Sequence, residues 1–134
     1  MRSQKEYIVC KQIATYLRLA YPSVIFHFDL AGLNLSRAQA GMMKSIQGGR
    51  GWPDLFIAHQ SFQGAGIKIS KYKGLFLEIK PEGTRLTKKS YEPATPHIGE
   101  QLEMIMALEA RGYRAHFVCG FNEAKSIIDK YLTL

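Results

Sequence analysis

Two polar motifs in this sequence lie at the ends of neighbouring predicted strands. The motif Gly51–Asp54 (GWPD) leads into the strand-like run DLFIA, and the motif Glu78–Lys80 (EIK) closes the run GLFLEIK. Because side chains alternate between the two faces of a strand, Glu78 and Lys80 project from the same face. In an antiparallel hairpin the start of one strand lies beside the end of the next, which brings Asp54 close to both.

Two carboxylates and an ammonium group at one place suit a hard divalent cation. Mg²⁺ prefers oxygen ligands, keeps several waters and is usually held by one or two carboxylates together with a substrate phosphate. We expect Asp54 and Glu78 to be its ligands, with the backbone carbonyl of Ile79 as a further one. Such an ion polarises a phosphoryl oxygen and lowers the pKa of a bound water, while Lys80 can position that water or stabilise charge on the phosphate. An isolated ExK pattern more often marks an exposed ion pair, but its pairing with Pro53-Asp54 favours the metal site.

The net charge of the chain indicates a polyanionic partner. Its 134 residues include 18 Lys and Arg against 11 Asp and Glu, which gives a formal charge of +7. This favours nucleic acid over a membrane surface, although a merely basic, solvated surface has the same composition. The candidate phosphate contacts come from an acid-free stretch before Pro53 and from both sides of the EIK motif: Arg37, Lys44, Arg50, Lys71, Lys73, Arg85, Lys88 and Lys89.

The length predicts one domain over residues 1–134. A content of 46% hydrophobic and 22% charged residues is typical of globular proteins. No apolar run approaches the roughly 20 residues that span a bilayer, and the N-terminus lacks the apolar centre of a signal peptide. Cys10 and Cys119 fit neither a disulfide framework nor, with the four histidines, a zinc site. We therefore expect an intracellular protein whose cysteines are buried thiols.

Helix and strand signals follow one another in the order α-β-(α)-β-β-α-β-α, which predicts an α/β fold with a mixed sheet flanked by helices. The first helix is expected to end at Pro22, and the last to be capped by Asn122. The helix between them is expected to be capped by Thr95, with Pro96 as its first residue, and to end at Gly112. The predicted strands cover residues 24–30, 54–58, 74–80 and 113–119, with a short helix over 36–47.

Helical periodicity predicts which face of each long helix is buried. The expected buried positions are Tyr7, Cys10, Ala14, Leu17 and Tyr21 in the first helix, Ile98, Leu102, Ile105 and Leu108 in the helix after Thr95, and Ala124, Ile127, Ile128 and Tyr131 in the last.

The sequence resembles the PD-(D/E)XK nuclease superfamily, whose signature Pro53-Asp54 and Glu78–Lys80 match residue for residue. More closely, it resembles the virus-type replication-repair nuclease (VRR-NUC) family, in its stand-alone phage form. The similarity covers residues 6–130, and it rests on Glu6, the runs 51–55, 77–80 and 83–87, Gln101 and the Gly112-Tyr113 turn.

This resemblance implies a restriction-endonuclease-like fold and hydrolysis of DNA phosphodiesters with Mg²⁺ or Mn²⁺. It implies that Asp54 and Glu78 are metal ligands, Lys80 the catalytic lysine, Glu6 an accessory acid and Gln101 the glutamine that follows the catalytic strand in this family. Two departures leave the role of Gln101 open. Ile98 stands where the family has a serine, and an insertion of about ten residues (88–98) precedes the glutamine.

The resemblance also implies a branched DNA substrate, above all the four-way (Holliday) junction of DNA repair. A junction needs two symmetric cuts and one domain offers one site, so a homodimer is expected. The alternatives are a monomeric flap or single-strand nuclease of the same fold, or a catalytically inactive nucleic-acid-binding module. A phage-encoded member would act in the cytoplasm of its bacterial host.

Overall fold

The computed structural model describes residues 3–29, 35–63 and 69–133. In chain order the elements are α1 (Gln4–Ala20), β1 (Phe26–Phe28), α2 (Arg37–Ile46), β2 (Leu55–Ile57), β3 (Ser61–Gln63), β4 (Ile69–Tyr72), β5 (Leu75–Lys80), α3 (Pro96–Ala110), β6 (Arg114–Cys119) and α4 (Phe121–Leu132). The predicted first strand extends to Leu30, which lies outside the described residues.

The main sheet has four strands in the order β1-β2-β5-β6. The β1–β2 and β2–β5 pairs are antiparallel, whereas β5 and β6 are parallel and are connected through α3. The mixed sheet flanked by helices is therefore confirmed. The connection between β2 and β5 forms a second, two-stranded sheet of β3 and β4. The predicted order omits this sheet, because runs of three and four residues are too short to show a strand period.

The sheet is covered on both faces. Leu75, Leu77 and Ile79 of β5 point into one core with α1 and α4, while Phe76 packs on the other face against Ile105 and Leu108 of α3. Every residue of β5 is consequently buried. Alternation places Glu78 and Lys80 on the α3 face with Phe76, so these two polar side chains stand at the end of an otherwise apolar layer.

The helix starts follow ordinary capping chemistry. The Ser3 side chain accepts a hydrogen bond from the Glu6 amide at the start of α1, and Ser36 and Gln39 form a capping box on α2. Thr95 caps α3 and Pro96 follows it, as predicted. The prediction that Asn122 caps α4 is wrong. The helix begins at Phe121, because Gly120 takes a positive φ of 89° that ends β6 and turns the chain.

Two predicted helix faces are confirmed only in part. In α1, Cys10 and Leu17 are buried as predicted, but Tyr7 is 47% exposed and Val9 and Ile13 are buried instead. In α3, three of the four predicted positions are buried, but Leu102 is 37% exposed and Gln101 takes the buried position. None of the helices in the described part of the chain combines the length and apolar content needed to cross a membrane.

Candidate active site

A tight loop leads the chain into Asp54. Gly51 has a φ of +75°, and a Cβ on it would lie 2.7 Å from the backbone oxygen of Glu100 in α3. A side chain is therefore excluded on both conformational and steric grounds. Pro53 is buried directly after this contact. The loop thus rests on α3 and delivers Asp54 to the start of β2.

Asp54 is anchored between β1 and β5. Its Oδ2 accepts a hydrogen bond of 2.8 Å from the backbone amide of Ile79, and its own carbonyl accepts one of 2.8 Å from the amide of Asp29. The side chain thus extends the hydrogen-bond ladder of the antiparallel β2–β5 pair by one step. Because the amide and carbonyl of a strand residue point to the same side, the Ile79 carbonyl also points toward Asp54.

Glu78 lies one residue further along this edge and is almost fully buried, with 4% of its surface exposed. Its Oε1 accepts a hydrogen bond of 2.7 Å from Nε2 of Gln101 and lies 3.8 Å from Nζ of Lys80, which is 8% exposed. Its Oε2 is buried and has no hydrogen-bond donor among the described residues. The predicted convergence of Asp54, Glu78 and Lys80 is present in the structure.

The electrostatics of this edge disfavour a second negative charge. The pKa of Glu78 is raised to about 10, chiefly by burial, and the charge of the neighbouring Asp54 carboxyl and a hydrogen bond with it contribute to the rise. The charge of Glu6 also raises this pKa, whereas the Lys80 ammonium lowers it without reversing the effect of burial. Glu78 therefore needs an added positive charge beside it to be ionised at neutral pH.

The donor set fits Mg²⁺ or Mn²⁺. A divalent cation would satisfy Oε2 of Glu78 and offset the charge of Asp54. Within residues 3–29, 35–63 and 69–133, no cluster of three or more His, Cys, Asp or Glu side chains is spaced to hold a metal. An ion at this edge would thus be held by two carboxylates, the Ile79 carbonyl and water. That is a usual ligand set for Mg²⁺, which retains much of its hydration.

A solved structure described as a VRR_NUC domain protein is similar to this chain over its full length. The match covers 100% of this chain and 93% of that chain, with a TM-score of 0.66 and 23% sequence identity. The chain has the VRR_NUC fold. The predicted restriction-endonuclease-like class is confirmed by this likeness. No protein-family model and no curated protein matches the chain.

The two accessory residues predicted from the VRR-NUC resemblance are both near the site. Gln101 reaches it from the second turn of α3 and directly contacts Glu78. Glu6, in the first turn of α1, is close enough for its charge to affect the pKa of Glu78. Of the two, only Gln101 has a described hydrogen bond to a proposed metal ligand.

The predicted phosphate contacts divide into two groups. Lys71 and Lys73 lie before β5, and the five residue steps from Lys73 to Glu78 correspond to about 16 Å of extended chain, so these lysines mark the opposite end from the carboxylates. The remaining basic residues lie on α2 (Arg37 and Lys44), in the loop before Asp54 (Arg50) and in the segment that follows Lys80 (Arg85, Lys88 and Lys89). Arg50 also approaches Glu100 at 3.9 Å.

Sequence reasoning missed the cleft beside Asp54. It has a volume of about 460 Å³, and its walls include Asp29, Trp52, Phe56 and Phe76, together with residues of α2. The ring of Trp52 lies 6.1 Å from that of Phe76, yet the residue remains 37% exposed at the cleft. Asp29 lies near the end of the predicted strand over residues 24–30, and the alternation of that strand gives no signal that this residue lies beside Asp54.

Proposed function

We propose that this chain is a divalent-metal-dependent nuclease that hydrolyses DNA phosphodiester bonds. The observation that supports this most strongly is the convergence of Asp54, Glu78 and Lys80 at one buried edge of a VRR_NUC fold. A structural ion pair would not need two carboxylates beside a single ammonium, and burial makes the excess negative charge costly. Binding of a metal ion and a substrate phosphate accounts for this excess of carboxylates.

In this proposal Asp54, Glu78 and the Ile79 carbonyl hold Mg²⁺ or Mn²⁺. When bound, such an ion polarises the phosphoryl oxygen and lowers the pKa of the attacking water. The Ile79 amide fixes the orientation of Asp54, and the Gln101 amide fixes that of Glu78, so neither carboxylate has to reorganise. Glu6 remains a candidate accessory acid.

Lys80 supplies the fixed positive charge of the site. Its ammonium is held 3.8 Å from Glu78 and is largely shielded from water, where its electrostatic effect is strongest. There it is placed to stabilise negative charge that develops on the phosphate, or to position the attacking water.

The substrate we propose is DNA, in particular the four-way junction. The formal charge of +7 and the exposed basic residues around the site suit phosphate contacts rather than base readout. Two symmetric incisions need two copies of the single site, so the active species in this proposal is a homodimer.

Substitutions that preserve side-chain shape test the chemistry. Asp54→Asn, Glu78→Gln and Lys80→Met should each lower the rate of DNA cleavage by more than about 100-fold, beyond the range usual for outer-shell partners of a metal. Circular dichroism should show an unchanged fold, and the two carboxylate variants should lose Mn²⁺ binding by calorimetry. Glu103→Gln, on the exposed side of α3, is the matched control and should cleave normally. Normal cleavage by Glu78→Gln would refute the metal-site proposal.

A substrate panel tests the finer proposal. Four-way junctions, flaps, single strands and linear duplex of unrelated sequence are incubated with Mg²⁺, Mn²⁺ or EDTA, and the mass of the protein is measured by light scattering. Paired cuts in junctions by a dimer are expected. A monomer that prefers flaps or single strands would refute the junction assignment and leave the metal-dependent nuclease standing.

A further inference from the structure

The segment between Lys80 and α3 forms a short hairpin over residues 86–94. The Ala94 amide donates to the Leu86 carbonyl at 2.9 Å, and the Lys88 amide donates to the Glu92 carbonyl at 2.8 Å. Thr87 and Pro93 pair between these two hydrogen bonds. This hairpin occupies most of the insertion over residues 88–98.

Tyr91 stands at the tip of this hairpin with its ring in solvent. It is 90% exposed, the highest value among the exposed large hydrophobic residues of the described chain. Its φ of 65° lies in the left-handed region, and no other non-glycine residue among those described has a positive φ. A β-carbon makes that conformation costly, and strained residues of this kind cluster at functional sites. The hairpin turn, in which the Tyr91 amide donates to the Lys88 carbonyl at 3.0 Å, sets this backbone conformation. The turn does not call for an aromatic side chain, and a ring this exposed gains little from packing.

The base of the hairpin is fixed to the elements that build the active site. On one side it follows Lys80, where the Thr84 hydroxyl donates to the Pro81 carbonyl at 2.7 Å. On the other side the Pro93 ring lies 3.7 Å from the position that a Cβ on Gly99 would take, and so it packs against the first turn of α3. The hairpin that carries Tyr91 is thus connected to β5 and packed on α3, the two elements that hold Glu78, Lys80 and Gln101.

The segment that carries the ring is basic. Residues 85–92 contain Arg85, Lys88 and Lys89 against Glu92, a net charge of 3 − 1 = +2. The Arg85 Nε donates to the Thr87 carbonyl at 3.2 Å, which holds this guanidinium along the hairpin. A lone aromatic ring among cations lacks the apolar area of a protein interface. It has the two features that bind exposed nucleobases, a stacking surface and neighbouring charges for the backbone.

We propose that Tyr91 is a stacking residue that contacts an unpaired or branch-point base of DNA and so selects substrates whose base stacking is interrupted. The inference rests on the proposed function for the identity of the polymer. In continuous duplex every base is covered by its neighbours, so the ring has no free surface to stack on. At a junction, flap or single-stranded segment such a surface exists, while Lys88 and Lys89 bind the adjoining phosphates.

The test compares ring-removing with ring-preserving substitutions. Tyr91→Ala removes the ring, and Tyr91→Asn does so with a residue that tolerates a positive φ. Tyr91→Phe and Tyr91→Trp keep a stacking surface, and Leu19→Ala, at a position 80% exposed on α1, is the control for loss of an exposed apolar side chain. Binding is measured with Ca²⁺ in place of Mg²⁺, on four-way junctions carrying 2-aminopurine at the branch point and on linear duplex, and cleavage is then measured with Mg²⁺.

Loss of stacking should weaken binding to the junction by about 5- to 140-fold in Tyr91→Ala and Tyr91→Asn, with the fluorescence response at the branch point lost. Tyr91→Phe and Tyr91→Trp should stay within about threefold of the wild type, and duplex binding should not change in any variant. Junction binding that survives in Tyr91→Ala, or that is lost equally in Tyr91→Phe, overturns the inference. If the wild type and Tyr91→Ala cut junctions equally well, the proposed function stands and the stacking role is refuted. If junction binding depends on the ring but the wild type cuts no DNA, the stacking role stands and the proposed function is refuted.

Discussion

The hydrogen bond between Gln101 and Glu78 allows a quantitative test of how the site is held together. Gln101 is 5% exposed, and its Nε2 lies 2.7 Å from Oε1 of Glu78. In Gln101→Met the side chain keeps its approximate volume, while the amide donor is lost. Only the Lys80 ammonium, at 3.8 Å, then faces that oxygen among the described contacts.

The expected effect follows from the charge of the acceptor. A hydrogen bond to an ionised group contributes about 1.5–3 kcal/mol, which corresponds to about 10- to 150-fold in rate if the bond orients the carboxylate for metal binding. Loss of an outer-shell partner of a metal ligand commonly has an effect of about 10- to 100-fold. The two ranges agree, so we expect kcat/KM for DNA cleavage to fall by about 10- to 100-fold.

The assay measures cleavage over a range of Mn²⁺ concentrations. If Gln101 orients a ligand, part of the loss should be recovered at high Mn²⁺, while affinity for DNA in Ca²⁺ stays unchanged. Met106→Ala, at a position 62% exposed on the same helix, is the control and should behave as wild type. A Gln101→Met variant that cleaves within threefold of wild type, with the same metal requirement, would show that Gln101 only fills space behind Glu78.

Three further predictions concern charge and stability. Replacing Lys88 and Lys89 together by Ala should reduce the magnitude of the slope of log K for DNA against log[salt] by about 1.8, at about 0.9 per phosphate contact. Replacing Lys71 and Lys73, at the far end of β5, by Ala should change this slope less. Leu17→Ala, at a fully buried position, should lower the free energy of unfolding in urea by about 2–5 kcal/mol, whereas Leu19→Ala should stay within about 0.5 kcal/mol. Burial raises the pKa of Asp129, but hydrogen bonds from Tyr16, Lys125 and Tyr21 outweigh it and leave that pKa below 3.8. The stability that Asp129 contributes is therefore fully present above the ordinary pKa of an aspartate, and it is lost as the pH falls through the lower pKa of the folded state. The urea midpoints of the wild type and Asp129→Asn should therefore differ less at pH 2.5 than at neutral pH; an unchanged difference would contradict this.

The cluster of Asp54, Glu78 and Lys80 was predictable from sequence because strand geometry is rigid. The alternation of side chains fixes Glu78 and Lys80 on one face, and an antiparallel partner then brings Asp54 beside them. The observed pairing of Leu55 with Leu77 is the register this requires. The same regularity does not extend to the helices, where adjacent residues differ by only about 100° around the axis.

The burial error in α3 comes from residue type. Periodicity selected Leu102 as a core residue of α3 because it is apolar, whereas the structure buries Gln101, whose amide is satisfied in part by Glu78. A polar residue in the interior has no hydrophobic signal, and its partner lies on a different element. The start of α4 was predicted wrongly because of backbone geometry. Asn122 is the better capping residue by type, but the positive φ of Gly120 turns the chain directly after β6, so the helix begins at Phe121 and not after Asn122.

The parallel pairing of β5 with β6 has a consequence for the timing of activity during synthesis. The strand that carries Glu78 and Lys80 lacks a neighbour on one side until residues 114–119 have been made, and α4 follows later still. A chain emerging from the ribosome therefore carries Asp54 and Glu78 well before β6 is available to complete the sheet around them. The site of the proposed function can form only after residues 114–119 have been synthesised and have paired with β5.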